Sequence, residues 1–327
     1  MAIRPMRILN TDIGPGKTVL YFDIAKLHTR TSIEVPIIIE RARKDGPTLL
    51  LLAGIHGNEV NGVEIVRQLI TKKYTKPQFG TIICIPVVNV FGFLNQTREF
   101  PDGRDLNRVF PGSKKGSLAA RYANKIMLEI VPHVDYCMDF HTGGSSRFNF
   151  SQVRIDANDE VCFSLAKEFG TKFILDSKLR DKSFRAAVSE FGKKVILFEG
   201  GKSLDLDKAV TKSGIRGALR VINKLGLRDF SQEIANMPKV NEQILVENST
   251  WIRANHSGMY RRVVSIGEKV NKGDIIGSIT DPYGDFEKNV KATHTGYIIC
   301  SNHAPIVNQG DALVHITTEH KTLEADS

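Results

Sequence analysis

Short apolar runs alternate with amphipathic segments along roughly the first 230 residues of the chain. Runs rich in β-branched and other apolar residues predict strands at Val19–Asp23, Thr31–Glu40, Thr48–Ala53, Thr81–Val88, Val134–Phe140, Phe173–Leu175 and Lys194–Phe198. Segments with a helical period predict helices at Glu59–Tyr74, Leu118–Val131, Asp159–Phe169 and Phe184–Phe191. Elements that alternate in this way predict an α/β fold, with a mixed, largely parallel sheet that has helices on both faces.

The pattern changes near Met237 and Pro238, where the helical segments stop. Beyond them we expect only short strands separated by turns, at Glu242–Glu247, Thr250–Arg253, Gly258–Val264, Asp274–Ile279, Asn289–Lys291, Gly296–Cys300 and Ala312–Ile316. The sequence therefore predicts an α/β domain over residues 1–238, an all-β barrel-sandwich domain over 239–320, and a frayed polar tail over 321–327.

Composition narrows the class of protein. The chain has 327 residues, of which 41% are hydrophobic and 25% charged, so a disordered or fibrous protein is excluded. Its longest strongly apolar run, Thr48–Gly54, is far shorter than the roughly 20 residues that cross a bilayer, and Met1–Arg7 lacks the apolar stretch of a secretory signal. The cysteines form no C-x-x-C pair; they are Cys84, Cys137, Cys162 and Cys300. We therefore expect a soluble, cytoplasmic protein with no membrane partner.

The charge balance indicates the kind of ligand. The chain carries 45 basic and 36 acidic residues, a formal net charge of +9. The basic residues are scattered, and the densest stretch, Lys167–Arg185, interleaves them with acidic ones. Because no basic patch stands out, we expect a small anionic substrate rather than a nucleic acid.

The segment Leu52–Gly62 carries the first residues suited to chemistry. A buried strand ends near Gly54, and His56 and Glu59 follow in the connection to the next helix. Ligands of open α/β sheets bind beyond the carboxyl ends of the strands, where an imidazole and a carboxylate three residues apart can reach one cation. Zinc in hydrolytic sites often takes two histidines and one glutamate, with water in the fourth position. A second histidine is therefore required from elsewhere.

Two other predicted strands also end in polar residues. His141 precedes a Thr-Gly-Gly turn, and Glu199 precedes Gly200 and Gly201. A lone histidine is more often a satisfied surface or core group, and an isolated H-x-x-E occurs often by chance. Polar residues at the ends of three apolar strands are hard to explain by packing, so we predict that they meet at one edge of the sheet.

The segment Asn95–Gly112 is rich in Arg, Asn, Gly and Pro and has no periodicity, which predicts a long functional loop. Its planar donors that suit a carboxylate are Arg98, Arg104 and Arg108. Arg108 beside Asn107 is suited to a bidentate contact. Alternatively, one or more of these arginines holds the loop in place through salt bridges to Asp102 or Asp105.

In order along the chain, G-x-H-G-N-E, D-L-N-R, D-x-H and a strand-terminal glutamate resemble the motifs of the succinylglutamate desuccinylase/aspartoacylase family, a branch of the zinc carboxypeptidase clan. The resemblance covers roughly residues 45–225. It implies a zinc-carboxypeptidase-like (phosphorylase/hydrolase-like) sheet and one zinc ion per chain. By this resemblance His56, Glu59 and His141 are the zinc ligands and Glu199 is the general base.

The resemblance also assigns roles around the ion. Arg98 would polarise the scissile carbonyl, Asn107 with Arg108 would bind a substrate carboxylate, and Asp105 would steady a histidine ligand. Arg185, in a Ser-Phe-Arg-Ala-Ala stretch, looks like the extra substrate-facing arginine of some deacylases.

The function implied is a zinc-dependent deacylase, a hydrolase of carbon–nitrogen bonds other than peptide bonds. Its substrate would be a small carboxylate-bearing N-acyl amino acid or a related amide, as in the family's broad group of predicted deacylases. Two alternatives remain open: a metallocarboxypeptidase that acts on a short or modified peptide, and a non-catalytic scaffold that uses its C-terminal barrel. A homo-oligomer is compatible with these features.

The C-terminal region carries two further resemblances. Aspartoacylases of the family place a C-terminal tyrosine near the substrate, and the candidates here are Tyr260, Tyr283 and Tyr297. Gly267–Gly277 is similar to lipoyl- or biotinyl-type domains, but Lys288 lacks the sequence context of a carrier lysine. We expect this region to shield or narrow the mouth of the active site.

Overall fold

The computed structural model describes residues 3–26, 29–239 and 242–323. The strands up to residue 202 are β1 (Arg7–Ile8), β2 (Thr11–Asp12), β3 (Gly16–Lys26), β4 (Ser32–Arg41), β5 (Thr48–Ala53), β6 (Thr81–Ile85), β7 (Tyr136–Gly143), β8 (Arg147–Ile155), β9 (Phe173–Asp176) and β10 (Lys194–Lys202). The later strands are β11 (Gln243–Arg253), β12 (Gly258–Arg262), β13 (Lys269–Val270), β14 (Ile275–Thr280), β15 (Glu287–Lys291), β16 (Gly296–Asn302), β17 (Ile306–Val307) and β18 (Ala312–Leu323).

The helices lie between the strands of the first part. They are α1 (Val60–Thr71), α2 (Val90–Asn95), α3 (Leu118–Glu129), α4 (Glu160–Phe169), α5 (Phe184–Glu190), α6 (Lys208–Lys224) and α7 (Ser231–Ala235), with short 3₁₀ turns at Leu106–Arg108 and Val131–His133. None of the helices in the described ranges is long and apolar enough to span a bilayer.

One mixed sheet of twelve strands organises the molecule, in the order β3-β4-β6-β5-β7-β10-β8-β9-β11-β18-β16-β13. Its centre is parallel, since β5 pairs with β6 and β7, and β7 pairs with β10. Strands β4 and β8 flank that centre in antiparallel pairs. The mixed α/β fold predicted from the sequence is confirmed.

Alternation along buried strands explains why helices cover both faces. Every residue of β5 is buried. Leu50 and Leu52 pack into one hydrophobic core with residues of α3 and α5. Leu49 and Leu51 pack into a second core with residues of α1, α4 and α6. The sheet is therefore apolar on both sides, as strands covered on both faces require.

The hydrophobic pattern predicts β5 to the residue but does not predict β8 or α6. Strand β8 has the sequence Arg-Phe-Asn-Phe-Ser-Gln-Val-Arg-Ile and is half-buried. Its polar residues interrupt the apolar run from which a strand would be predicted. Helix α6 contains two glycines and five basic residues, which weaken its helical signal. Strands β7 and β10 also extend past their predicted ends, to Gly143 and Lys202.

The C-terminal region is rich in β structure, as expected, but its strands continue the main sheet. Strand β9 pairs with β11 and the first residues of β8 pair with β16, so β8, β9, β11, β18 and β16 close into a ring. A separate four-stranded sheet has the order β15-β14-β12-β17. A core of residues such as Ile276, Ile298 and Leu313 joins the two sheets. The division at residues 238/239 stays a prediction.

Two expectations for this region need correction. The predicted strands at 242–247 and 250–253 are one continuous strand, β11, because β18 pairs along its whole length. Residues 321–323, which were expected to belong to a frayed tail, instead form the end of β18, since Leu323 lies opposite Gln243 of β11. Residues 324–327 of the expected tail lie outside the described residues.

Candidate active site

The parallel centre of the sheet brings the predicted polar residues to one edge. Glu199 on β10 is the register neighbour of His141 on β7, and His56 and Glu59 follow the end of β5. The connection to α1 depends on glycine, because a Cβ at Gly57 would lie 1.9 Å from a backbone carbon of Gly92. The glycines of the first motif thus allow the tight packing that places His56 and Glu59.

His56, Glu59 and His141 form a buried cluster, with nitrogen and oxygen ligand atoms within 4.8 Å of one another. His56 Nδ1 lies 2.8 Å from one Glu59 oxygen and His141 Nδ1 lies 2.9 Å from the other. The three residues are only 2–3% exposed. Among the described residues, His56 Nδ1 is buried with no partner in hydrogen-bonding geometry. Such a group is suited to holding a metal ion.

The outer nitrogens of both histidines contact aspartates. His56 Nε2 lies 3.0 Å from Asp105, and His141 Nε2 lies 2.9 Å from Asp139. Burial lowers the pKa of each histidine, but Glu59 and these aspartates outweigh it, so the pKa of His56 is raised and that of His141 is raised well above its usual value. Burial raises the pKa of Glu59, but both histidines outweigh it and hold that pKa well below its usual value. Asp139 has no role in the sequence prediction, although the D-x-H motif contains it.

Arg98 links the loop to the cluster. Its Nη1 donates to Glu59 at 3.1 Å, and its Nε and Nη2 donate to Asp105 at 3.1 and 2.9 Å. Arg98 therefore forms the salt bridge to Asp105 that would hold the loop in place, and it also contacts Glu59, one of the three predicted metal ligands. Arg104 instead pairs with Asp102 at 3.5 Å and is largely exposed, which matches the loop-holding interpretation for this residue.

Asn107 and Arg108 lie on a 3₁₀ turn that Asp105 caps. The Asp105 side chain accepts the Asn107 backbone N–H at 2.8 Å. The Asn107 side-chain oxygen accepts the Phe184 backbone N–H at 2.8 Å, so its NH₂ group is the part free to donate into the cleft. Arg108 also lines the cleft; burial lowers its pKa, but a guanidinium stays charged.

Glu199 is held by β8. Asn149 Nδ2 donates to one Glu199 oxygen at 2.6 Å, and Arg154 Nη1 lies 3.8 Å from the other. Gln152 lies opposite Glu199 and Asn149 opposite Gly201. Between these pairs, two residues of β8 lie opposite one residue of β10, which is a β-bulge. That bulge turns Asn149 to the same face as Gln152 and Glu199.

A cleft of about 960 Å³ contains this site. Its cationic lining residues are Arg98, Arg108, Arg147, Arg154, Lys178, Arg180 and Arg185, and its acidic ones are Glu59, Glu99 and Glu199. Arg185 is 6% exposed, and its Nη2 donates to the carbonyls of Ser177 and Lys178 at 2.8 and 2.9 Å. In the described part of the chain, its Nη1 is buried without a partner. The cleft is thus positive and offers unpaired donors.

The C-terminal strands supply one wall of the cleft. Trp251 on β11, His315 on β18, Cys300 on β16 and Asn149 on β8 are successive cross-strand neighbours, and all line the cleft. The Trp251 and His315 rings stack at 4.5 Å. The candidate tyrosines lie elsewhere: Tyr260 and Tyr297 are buried in hydrophobic cores and Tyr283 is 86% exposed. Sequence reasoning missed this wall because it depends on pairing between distant strands.

Comparisons with known proteins show what the chain as a whole is similar to. A model of the succinylglutamate desuccinylase/aspartoacylase catalytic domain matches residues 45–225. The chain is similar to an N-alpha-acetyl-L-2,4-diaminobutyric acid deacetylase from Halomonas elongata, with 28% identity over 87% of this chain and 86% of the relative.

Solved structures show the same fold over nearly the whole chain. The succinylglutamate desuccinylase/aspartoacylase from Rhodobacter sphaeroides matches with a TM-score of 0.82, 23% identity, and coverage of 96% of this chain and 100% of that one. The product-bound ectoine utilization protein EutE (DoeB) from Ruegeria pomeroyi matches with a TM-score of 0.80, 21% identity, and coverage of 97% and 98%. Because the family model spans more than half of the chain, this protein belongs to the succinylglutamate desuccinylase/aspartoacylase family of deacylases.

Proposed function

We propose that this protein is a zinc-dependent deacylase that hydrolyses the amide bond of a small, carboxylate-bearing N-acyl amino acid or a related compound. The observation that carries the proposal is the buried cluster of His56, Glu59 and His141 at the base of a positive cleft. Zinc would be held by the two Nδ1 atoms and a Glu59 oxygen, a two-histidine, one-glutamate set that is typical of hydrolytic zinc sites.

The surroundings of the histidines support this choice of ligand atoms. Each Nε2 contacts an aspartate, which fixes the ring and leaves Nδ1 as the ligand nitrogen. The chemistry that zinc supplies in such a site is Lewis acidity, which lowers the pKa of bound water to near 7 and polarises the amide carbonyl.

The chain's own residues then perform the proton transfers. Glu199 accepts a proton from the attacking water and returns it to the departing amine. Its hydrogen bond from Asn149 holds one carboxylate oxygen in place and leaves the other as the base. Arg98 donates to the amide oxygen as negative charge develops there, a contribution of about 3–4 kcal/mol for a well-placed donor.

Positive and amide groups that line the cleft select the substrate. Arg108 and the Asn107 NH₂ group bind its carboxylate, so that binding energy is spent on orientation. The unpaired Nη1 of buried Arg185 provides a further donor for an anionic or carbonyl oxygen. Because a buried unpaired donor is costly, we infer that substrate satisfies it.

The test is metal analysis combined with a substrate panel. We expect about one zinc per chain, turnover of N-acetyl and N-succinyl amino acids, loss of turnover on chelation, and recovery with added zinc. N-alpha-acetyl-L-2,4-diaminobutyric acid, after which the Halomonas elongata relative is named, belongs in the panel. His141→Ala should lose zinc, whereas the exposed His294→Ala should keep it.

Other outcomes would favour the alternatives. Zinc-dependent cleavage of dipeptides in preference to N-acyl amino acids would favour a carboxypeptidase. A folded protein that never holds stoichiometric zinc and turns over nothing would favour a scaffold.

A further inference from the structure

The outer edge of the main sheet is a long exposed strand. Strand β3 has eleven residues and ends the strand order, with β4 on its inner side. Across residues 3–26, 29–239 and 242–323, no strand pairs with its outer side. Near one end of β3, the Asp23 carbonyl accepts from Lys125 Nζ at 2.7 Å. An open edge of this length is a template for pairing with another strand.

The exposed face of β3 carries a symmetric pattern. Alternate side chains share a face, and Lys17, Val19, Tyr21 and Asp23 are all exposed. Val19 is 40% exposed and Tyr21 is 63% exposed, so two large side chains lie next to each other on this exposed face. Pairing with β4 is regular from Gly16 to Asp23, and the register shifts only after Asp23. This straight stretch therefore contains the whole pattern.

We propose that β3 pairs with β3 of a second copy of this chain, antiparallel, about a two-fold axis at Leu20. In this register Leu20 lies opposite Leu20, Val19 opposite Tyr21, and Lys17 opposite Asp23. Each unlike pair occurs twice, because a two-fold interface is self-complementary. The two main sheets join into one continuous sheet.

Charge complementarity selects this register over its neighbours. Moving the axis to residue 19 or 21 places Lys17 opposite Tyr21, or Asp23 opposite Val19, and loses both ion pairs. Moving the axis to a point midway between two residues places the exposed side chains of one strand opposite the buried side chains of the other. Residues directly opposite one another must share a face of the sheet, so this register is disfavoured. Only the register about Leu20 therefore pairs unlike charges and apolar side chains together.

The pairing also relieves a repulsion within one chain. Asp23 lies opposite Glu34 of β4, and both side chains are exposed on the same face. Like charges directly opposite one another are destabilising. In the dimer, Lys17 of the other copy would lie on the free side of Asp23.

Charge reversal tests this register. We expect the wild-type protein to sediment with the mass of two 36.4-kDa chains at micromolar concentration, and to dissociate more readily in high salt. Lys17→Asp and Asp23→Lys each replace two attractions by two repulsions, so each should weaken dimerisation about tenfold or more. An equimolar mixture of the two variants, or the double variant, restores both unlike pairs and should restore the dimer.

The control is Lys26→Asp, which changes the net charge by the same amount at the end of β3, outside the paired stretch. It should dimerise like the wild type. A monomeric wild type at high micromolar concentration would overturn the proposal. So would a dimer that the single reversals do not weaken, or one that the mixed variants do not restore. Deacylase activity is not part of this readout, so the result is independent of the proposed function.

Discussion

The two walls of the cleft are built in different ways. On one side, His56, His141 and Glu199 lie at or just after the carboxyl ends of parallel strands that are mostly apolar. On the other side, Asn149 and Trp251 lie on strands that mix polar and apolar residues. The first wall holds the proposed metal ligands and base, and the second contacts the base and closes the cleft.

The difference shows which parts of a site local sequence determines. A parallel strand that ends in a polar residue delivers that residue to a known edge of the sheet, whichever strands flank it. Asn149 faces Glu199 only because of a β-bulge, and Trp251 reaches the cleft only because β11 pairs with β9 and β18. The second wall is thus a product of long-range pairing.

The largest expected effect is at the strand-end wall. Glu199→Gln keeps the shape of the side chain but removes its ability to accept a proton, so turnover should fall by a factor of about 10²–10⁴. Zinc content should stay unchanged, because Glu199 is outside the proposed ligand set. The measurement is kcat together with metal analysis of the same preparation.

The matched control is Glu190→Gln, an exposed glutamate at the end of α5, which should retain full turnover. Near-normal turnover in Glu199→Gln would refute the role of general base and leave the strand-end wall with metal binding alone.

The sequence predicts the strand-end wall because each of its residues follows a recognisable apolar run, as His56 follows β5. The same reasoning finds the loop with Arg98 and Arg108, since a long aperiodic segment inside a compact domain indicates function. It does not find β8, whose polar residues break the apolar pattern. It also misjudges the region after residue 320, because the order of that segment comes from pairing with Gln243–Val246 rather than from its own composition.

A smaller effect is expected where the second wall touches the base. Asn149→Ala removes the 2.6 Å hydrogen bond to Glu199, and a hydrogen bond to a charged group contributes about 1.5–3 kcal/mol. We expect kcat to fall about ten- to a hundredfold while KM changes little, because the lost contact is to the base. Steady-state kinetics on one N-acyl amino acid measures both parameters.

Asn149→Asp sharpens this test, because it places a second carboxylate against Glu199 and should reduce kcat further than Ala does. Asn158→Ala, an exposed asparagine, is the control. If Asn149→Ala is as harmless as Asn158→Ala, the second wall only encloses the cleft and takes no part in positioning the base.

The smallest effect concerns the pH dependence of stability. Burial, and then the charge of Arg154, lower the pKa of His315 to about 3, whereas an unfolded histidine has a pKa near about 6.5. Between these two values the unfolded chain binds a proton at His315 and the folded chain does not. The free energy of unfolding therefore falls as the pH drops from about 6.5 towards 3, by at most about 1.4 kcal/mol per pH unit.

His315→Gln should therefore show a shallower loss of unfolding free energy in urea titrations at pH 7, 6 and 5. Loss of the stacking on Trp251 shifts the unfolding free energies at all three pH values by the same amount and leaves their slope against pH unchanged. His294→Gln, at an exposed histidine, provides the matched control. Equal slopes in His315→Gln and the wild type would mean that water reaches this imidazole in the folded state, and that the second wall is more open than the strand-end wall.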